Sequence, residues 1–427
     1  MVRVITHLAT VSTVALLVVG SLVAQTQTTI AILAGQLIDP QTGALATNQT
    51  ILIEGRTVKA VGASLQIPPY ATVIHLSTST VLPGLFDAHT HLCAKVRTAA
   101  DRLGIGFLDA ILLDPAGYRA IQGVAHARDM LDAGFTTVRD VGNAGQYVDV
   151  DLQRGIDEGL VPGPTMVVAG RIIAPFGGQF STRAAKSVLD NPEYFFADTR
   201  DELRKAIREN VYYGARVIKI VVDGQPYSYS TDDIRYIVQE ASEARLKVAA
   251  HVQTAEGARR AIAAGVGSLE HAWRLSGEDF RSMKENGVVL VSTDATEKVL
   301  RGFGWDDVGA RRIHAARIER LKRAYEAGVT IAFGTDVMVD IPGETRGTLA
   351  VEYVDGFVEA GIPAKAILQI MTVNAAKLLG VQEARGAIAP GMAADIIATT
   401  GNPLESIQAL KRVVFVMKNG VVHRLAK

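Results

Sequence analysis

The sequence predicts an α/β protein, a (β/α)8 TIM-like barrel with a small β-sandwich domain built from both chain ends. The chain has 427 residues, 48% of them hydrophobic and 21% charged, which is enough for a large core. Its central part alternates short apolar β runs with amphipathic helical segments, the pattern of parallel βα units. No Gly-rich phosphate turn follows the first of these runs, which argues against an open doubly wound sheet.

Composition excludes several classes of function. Lys plus Arg total 44 and Asp plus Glu total 44, with no basic block, so neither nucleic acid nor an anionic membrane is an expected partner. The single Cys93 excludes an intrachain disulfide and a thiolate zinc cluster. A metal site in this chain would therefore use nitrogen and oxygen ligands, and nine histidines are available.

The N-terminus has the pattern of a secretory signal peptide, predicted over residues 1–24. Residues 8–24 carry no charge and end in small side chains before a polar stretch. The alternatives are a membrane anchor or a buried first helix, but the run is short for a membrane span. We expect an exported protein, periplasmic or secreted, that has no membrane contact once the leader is removed.

Short β-rich runs flank the central part at both ends. They predict one β domain, with an antiparallel sheet, from residues 25–82 and 383–427, around a barrel over 83–382. Asn419-Gly420 is a strong signal for a two-residue hairpin turn in the C-terminal part. The eight predicted barrel strands are 84–89, 136–140, 166–172, 217–222, 247–251, 267–271, 288–292 and 330–336. Predicted helices between them include 198–213, 231–244, 255–264 and 309–326.

Polar residues fall where these strands end. Since barrel enzymes build their chemistry at the carboxyl ends of the strands, we interpret the following residues as candidate site residues: His89, His91, Lys219, His251, His271 and Asp336. Residues two apart on a strand share a face, so the first two imidazoles can reach one ion. The next two histidines end consecutive strands and converge if the barrel is formed. Each residue alone could be structural; a turn or N-cap role is the alternative for Asp336.

Lys219 lies in a very apolar strand, where an unpaired ammonium is costly. Two solutions are open: an ion pair with Asp223 or another carboxylate, or reaction with carbon dioxide to a carbamate that bridges two metal ions.

Several motifs together resemble the amidohydrolase superfamily. Residues 82–92 read LPGLFDAHTHL, which is similar to the first-strand motif of that superfamily. Later motifs follow in the family's order, and they are TVRD at 137–140, VIKI at 217–220, AHV at 250–252, LEH at 269–271, GTD at 334–336, NAAK at 374–377 and GAIAPGMAAD at 386–395. The resemblance covers residues 30–427 and is most specific to the imidazolonepropionase-related metal-dependent dipeptidases. That group includes Xaa-Pro and other Xaa-amino-acid dipeptidases and ochratoxin-hydrolysing amidohydrolases.

The resemblance implies a site with two divalent metal ions, zinc being the expected metal, and N6-carboxylysine at Lys219 between them. His89, His91 and Asp336 would hold one ion, and His251 and His271 the other. True imidazolonepropionases lack the bridging lysine, so Lys219 argues against that activity. The family also implies a homo-oligomer, with the octamer of related members as one form.

The implied function is hydrolysis of the amide of an N-acyl amino acid or dipeptide with an apolar or aromatic part, ochratoxin-like or Xaa-Pro. A metal-bridging hydroxide would attack the carbonyl, and Asp336 would transfer its proton to the leaving amine. One alternative is a cyclic amidohydrolase, lactonase or deaminase on the same barrel. Another, of a different class, is a non-catalytic metal-binding protein.

Contacts to the small-molecule substrate are harder to predict. Candidate partners for a substrate carboxylate are Tyr227, Tyr229, Arg139 and Arg274. Related dipeptidases often carry Gly-Gly-His after the third strand, where this chain has Gln179. Gln179 keeps hydrogen-bonding capacity but does not titrate, so its loop could bind substrate differently.

Overall fold

A computed structural model describes residues 28–96, 114–142, 146–179 and 194–426. The leader predicted over residues 1–24 lies outside the described residues. Within these ranges, no helix combines the length and the apolar character needed to cross a membrane.

The strands are β1 Thr29–Asp39, β2 Ala44–Glu54, β3 Thr57–Gly62, β4 Thr72–Pro83, β5 Leu85–Thr90, β6 Phe135–Asp140, β7 Thr165–Val168, β8 Ile172–Ala174, β9 Tyr194–Phe196, β10 Ile218–Val221, β11 Val248–Val252, β12 Ser268–His271, β13 Val289–Val291, β14 Ile331–Ala332, β15 Ile396–Thr399, β16 Val413–Lys418 and β17 Val421–Leu425. The helices are α1 Ala116–Asp132, α2 Val148–Asp157, α3 Arg200–Tyr213, α4 Thr231–Glu243, α5 Ala255–Ala264, α6 Gly277–Asn286, α7 Glu297–Gly302, α8 Asp307–Glu326, α9 Arg346–Val351, α10 Val354–Glu359, α11 Ala364–Gln369 and α12 Ala375–Leu379. The chain also contains a π-helical turn, Ile370–Asn374, and a 3₁₀ helix, Ile407–Lys411.

Strands from both ends of the chain form one seven-stranded sheet in the order β17-β16-β15-β4-β1-β2-β3. The expectation of a purely antiparallel sheet is wrong, because β1 and β4 pair in parallel. The reason is that β2 already pairs with one side of β1, and the chain crosses over through β2 and β3 to reach the other side. Asn419 and Gly420 have φ of 49° and 75°, as a type I′ hairpin turn between β16 and β17 requires.

The central part contains two parallel sheets, ordered β14-β13-β12-β11-β10-β8-β9 and β5-β6-β7. Each of the eight predicted barrel runs overlaps an observed strand. The third run divides into β7 and β8 on either side of Gly170, whose φ of +68° interrupts the extended backbone. As a result β7 pairs with β6, whereas β8 pairs with β10.

Backbone hydrogen bonds join these two sheets at two places. The N–H of Ala88 in β5 donates to the carbonyl of Phe333, just after β14, at 2.8 Å, and Arg216 N–H, before β10, donates to Val168 in β7 at 2.7 Å. Gly334 permits the first junction, since a Cβ there would lie 2.9 Å from the Cβ of His89 and 2.3 Å from Val291. The close approach of β14 to β5 brings the residues after both strands together.

Candidate metal centre

Four histidine rings from three strands form a continuous row. Ring centroids are 5.2 Å apart for His91 and His89, 4.9 Å for His89 and His271, and 4.4 Å for His271 and His251. The row lines a cavity of about 320 Å³ together with Val96, Ile172, Gln179, Tyr194, Lys219, Gln253, Phe303, Asp336 and Met338. The structure therefore brings all six predicted ligand residues to one cavity, and their role as ligands stays a prediction.

His89, His91 and Asp336 have the spacing that a divalent ion needs. The Nε2 atoms of His89 and His91 are 3.3 Å apart, and Asp336 Oδ1 lies 3.7 Å and 3.3 Å from them. Ligands at zinc bond lengths in a tetrahedral site are separated by about 3.3 Å. Asp336 also faces the other half of the row, since its Oδ2 is 3.8 Å from Nδ1 of His271. The donor atoms thus fit a metal ion, with Asp336 between the two pairs of histidines.

Hydrogen bonds at Nδ1 orient three of the rings. Nδ1 of His89 is 2.7 Å from a Glu270 oxygen, and Nδ1 of His271 is 2.8 Å from Thr293 Oγ1. Nδ1 of His91 contacts the carbonyl oxygen of Gly142. Placing the proton on Nδ1 satisfies each of these bonds and leaves the Nε2 lone pair free for a metal.

The carboxylate that contacts His89 belongs to a buried ion pair. Glu270 receives hydrogen bonds from Arg139 Nη2 at 2.8 Å and from Ser268 Oγ at 2.5 Å, and Arg139 Nε donates to the carbonyl of Ala88 at 2.6 Å. Arg139 and Glu270 are fully buried. The structure does not support the interpretation of Arg139 as a substrate contact, because its guanidinium is bonded to buried protein groups and does not line the cavity.

Burial and nearby cations determine the protonation of the histidines. Desolvation, with the charge of Lys219 or of neighbouring rings, lowers the pKa of His89, His251 and His271 well below its usual value. Burial also acts on His91, but the hydrogen bond and charge of Asp336 outweigh it and raise its pKa. Three of the four rings are thus neutral near pH 7, which is the form that binds metals.

Lys219 is buried in β10 and points into the same cavity. Burial lowers its pKa to about 8, and the charges of Glu270 and Asp336 oppose this shift. The ion pair with Asp223 considered above does not form: Asp223 accepts hydrogen bonds from Gln253 N at 2.7 Å and Thr254 Oγ1 at 2.6 Å.

Three strand ends in the site have a left-handed backbone. His271, Thr293 and Asp336 have φ of 70°, 49° and 57°, in the region that favours glycine. Such conformations cost about 1–2 kcal/mol per residue and persist where surrounding contacts impose them. Local sequence gives no signal for this feature.

Gln179 is the one predicted substrate residue that lines the cavity. Its Nε2 lies 3.2 Å from Nε2 of His251, and its Oε1 accepts a hydrogen bond from the Tyr194 hydroxyl at 2.7 Å. Tyr194 also lines the cavity, and sequence reasoning missed it. The aromatic run 194–196 after the Gln179 loop was the available signal.

The remaining substrate candidates do not line the cavity, so the structure does not support those predictions. Tyr229 is buried, and its hydroxyl donates to the carbonyl of Ala197 at 2.7 Å. Tyr227 is half-exposed, and its hydroxyl is bonded to the Phe176 carbonyl. Arg274 is exposed.

Comparison with known proteins places this geometry in a family. Residues 80–422 match the amidohydrolase family. Ochratoxinase of Aspergillus niger is 29% identical over 91% of this chain and 85% of its own length. An imidazolonepropionase of Fusobacterium nucleatum is 24% identical over 82% of this chain and 84% of its own length.

A solved structure of a Xaa-Pro dipeptidase with bound methionine superposes with a TM-score of 0.82 and 31% identity, covering 93% of this chain and 100% of that one. A prolidase solved with N-methylphosphonate-L-proline gives a TM-score of 0.81 at 26% identity, with coverage of 93% and 100%. The chain belongs to the amidohydrolase family of metal-dependent hydrolases and acts on C–N bonds.

Proposed function

We propose that this enzyme is a binuclear metal-dependent amidohydrolase that cleaves the amide of an N-acyl amino acid or a dipeptide with an apolar or aromatic part. One observation carries the proposal: four histidines, Lys219 and Asp336 surround a single cavity of about 320 Å³. Nothing about this donor set requires a Ser, Cys or Thr nucleophile.

The proposed architecture is a closed (β/α)8 barrel over residues 83–382, with a β domain from residues 25–82 and 383–427. The hydrogen bonds from Ala88 to Phe333 and from Arg216 to Val168 support closure, since they connect the two parallel sheets. Closure would place the carboxyl ends of β5, β10, β11, β12 and β14 around one mouth, where barrel enzymes bind substrate.

The proposed ligands are His89, His91 and Asp336 for one ion and His251 and His271 for the other, with carboxylated Lys219 between them. A pKa of about 8 favours the carbamate, because only the neutral amine can react with carbon dioxide. Two bound divalent cations, proposed to be zinc, would supply a nucleophilic water at neutral pH and polarise the amide carbonyl.

The chain's own residues would then move the proton and hold the substrate. Asp336 has an oxygen directed at each pair of histidines and about a quarter of its side chain exposed to the cavity. It can accept a proton as the carbonyl is attacked and return it to the leaving nitrogen. Gln179, held by Tyr194, presents an amide N–H₂ beside His251 that can donate to a substrate oxygen.

The substrate class rests on the cavity walls and on the named relatives. Val96, Ile172, Phe303 and Met338 give the cavity an apolar part besides the histidines. This apolar part suits an aromatic acyl group or a proline ring, and the volume is within the range of small-ligand sites. Two similar proteins are named ochratoxinase and Xaa-Pro dipeptidase, and the proposed substrate class follows these names.

The test joins metal analysis of the purified enzyme with a screen of N-acyl amino acids, Xaa-Pro dipeptides, cyclic amides and lactones. We expect two metal ions per chain and hydrolysis of an acyclic amide that carries a free carboxylate. Turnover restricted to cyclic substrates would replace the proposal by the cyclic amidohydrolase alternative. Two bound ions without turnover of any compound would favour a non-catalytic metal-binding protein.

Export and self-association are further parts of the proposal that rest on sequence. An exported enzyme should start near residue 25 when isolated from the periplasm or medium, which N-terminal sequencing measures. A homo-oligomer, up to an octamer, should be visible by light scattering of the purified chain. A cytoplasmic chain that starts at residue 1 would contradict export. A monomer in solution would contradict self-association.

A further inference from the structure

A second and larger cavity, of about 490 Å³, shares no lining residue with the cavity of the histidine row. It is formed where the β2–β3 and β16–β17 turns of the seven-stranded sheet meet the segment between α2 and β7. Its lining residues are Arg56, Ile156, Asp157, Gly159, Leu160, Val161, Pro162, Gly163, Lys418, Asn419, Val421 and His423.

Lys418, the last residue of β16, is the unusual member of this lining. The residue is 6% exposed, and its side chain forms no ion pair or hydrogen bond within the part of the chain that the structure describes. The nearby carboxylate of Asp395 is already used, because it accepts the N–H of Asn419 at 2.7 Å and pairs with Arg385. A largely buried ammonium without a direct ion pair is costly, and the cost falls when an anion binds beside it.

The other charges around the cavity leave an excess of positive charge. Arg56 adds a second cation, Asp157 is the single carboxylate of the lining, and neither is in an ion pair with any described residue. Burial lowers the pKa of Lys418; the charges of Asp395 and Asp157 oppose this shift, and those of Arg385 and Arg56 add to it. Burial and Lys418 also lower the pKa of His423, so this ring is neutral near pH 7 and can donate a hydrogen bond.

The rest of the wall is apolar and uncovered. Leu160 is 74% exposed and Val421 is 58% exposed, and Ile156, Val161 and Pro162 continue the same wall. A small inorganic anion would satisfy the cations but leave this wall in water. A ligand with a negative head and an apolar body would satisfy both parts of the cavity.

We propose that this cavity binds a small carboxylate with an aromatic or branched aliphatic body. The carboxylate lies against Lys418 and Arg56, and the body covers Leu160 and Val421. The site is separate from the histidine cavity, so it binds its ligand independently of hydrolysis.

Isothermal titration of the metal-loaded full chain with benzoate tests the site, with benzamide as a neutral ligand of the same shape. The variants are Lys418→Met and Arg56→Gln, and Lys322→Met removes an exposed lysine of α8 as the matched control. The first two variants each lose a charged hydrogen bond to the carboxylate, so their benzoate affinity should fall by about tenfold. The benzoate affinity of the control variant should equal that of the wild type. Benzamide should bind at least about tenfold more weakly than benzoate to the wild type.

Lys418→Met should fold, because methionine fills a similar volume without a charge, and its thermal midpoint should equal or exceed that of the wild type. Unchanged benzoate affinity in Lys418→Met would overturn the proposal, and so would equal binding of benzamide. Displacement of benzoate by equimolar inorganic phosphate would contradict the proposed contact of the ligand body with Leu160 and Val421. A benzoate site retained in Lys418→Met but lost on metal removal would assign the binding to the histidine cavity.

Discussion

Glu270 Oε2 lies 2.7 Å from Nδ1 of His89, and the other oxygen of the same carboxylate receives Arg139 at 2.8 Å. One buried carboxylate on β12 therefore links a candidate ligand on β5 to a cation on β6. It keeps the His89 proton on Nδ1 and prevents rotation of the ring. The geometry of the candidate centre depends on this contact as much as on the ligands themselves.

Replacing Glu270 should therefore weaken metal binding without removing a ligand. In Glu270→Gln, one amide cannot accept from both His89 and Arg139, so ring orientation is lost and zinc affinity should fall about ten- to hundredfold. Competition with a zinc-binding dye measures this, with exposed Glu285→Gln on α6 as the control. Denaturant unfolding in parallel detects the separate cost of leaving Arg139 unpaired. Wild-type zinc affinity in a folded variant would contradict the orienting role.

If Lys219 acts as a carbamate, a small carboxylic acid should restore turnover to a variant that lacks its side chain. Lys219→Ala leaves space in the cavity wall that a small carboxylate can occupy, so acetate or propionate should restore a measurable part of the lost turnover. The measurement is the rate of amide hydrolysis with added zinc, with and without the acid. Lys219→Met fills that space and serves as the control that the acids should not rescue. Full activity of Lys219→Ala without any acid would exclude the carbamate.

Asp336→Asn should retain the fold and lose most turnover. The amide can still face the histidines, but it cannot take up a proton, and general acid–base groups contribute about 10²- to 10⁴-fold to rate. We expect the loss in kcat, with KM within a few-fold of the wild type. Circular dichroism and metal content show whether the fold and the ions are kept. A drop that follows metal loss alone would indicate a ligand role without proton transfer.

The strands and the set of polar residues that line the histidine cavity could be predicted from sequence because they depend on short-range patterns. Each apolar run of the predicted barrel overlaps an observed strand, and a polar residue after a buried strand is visible without coordinates. Lys219 stood out for the same reason, as one charge in the run VIKIVV at 217–222.

Features that depend on contacts between distant segments could not be predicted. The left-handed backbone of His271 and Thr293 accompanies a side-chain contact of 2.8 Å between them, across 22 residues. Arg139 looked like a substrate contact because its partner Glu270 is 131 residues away. Parallel pairing of β1 with β4 likewise follows from which side of β1 remains free after β2 has paired.

Tyr194 should act on catalysis through Gln179. Tyr194→Phe removes the hydroxyl that fixes the Gln179 amide, at a cost of about 1 kcal/mol, so kcat/KM should fall by about fivefold. Tyr212→Phe, at a residue that is 83% exposed, is the matched control. In a Gln179→Ala background the Tyr194 substitution should have no further effect. Additive losses in the double variant would show that Tyr194 acts by another route.

Stability should fall in mild acid through His126, a buried residue of α1. Its Nδ1–H donates to the carbonyl of Leu92 at 2.6 Å, and burial, aided by the charge of Arg346, lowers its pKa to about 4. The unfolded chain has an ordinary histidine pKa of about 6.5, so between these values it binds a proton that the folded chain does not. The free energy of unfolding therefore decreases as pH falls through this window.

The change is measurable against a variant that keeps the hydrogen bond. His126→Gln can still donate to Leu92 but does not titrate, so between pH 7 and 5 the wild type should lose about 2 kcal/mol more than the variant. Urea unfolding at the two pH values gives this difference, and acid-induced metal loss affects both proteins equally and cancels. Parallel pH dependence in the two proteins would mean that His126 is already protonated in the folded state, with Asp340 as the nearby carboxylate that holds its charge.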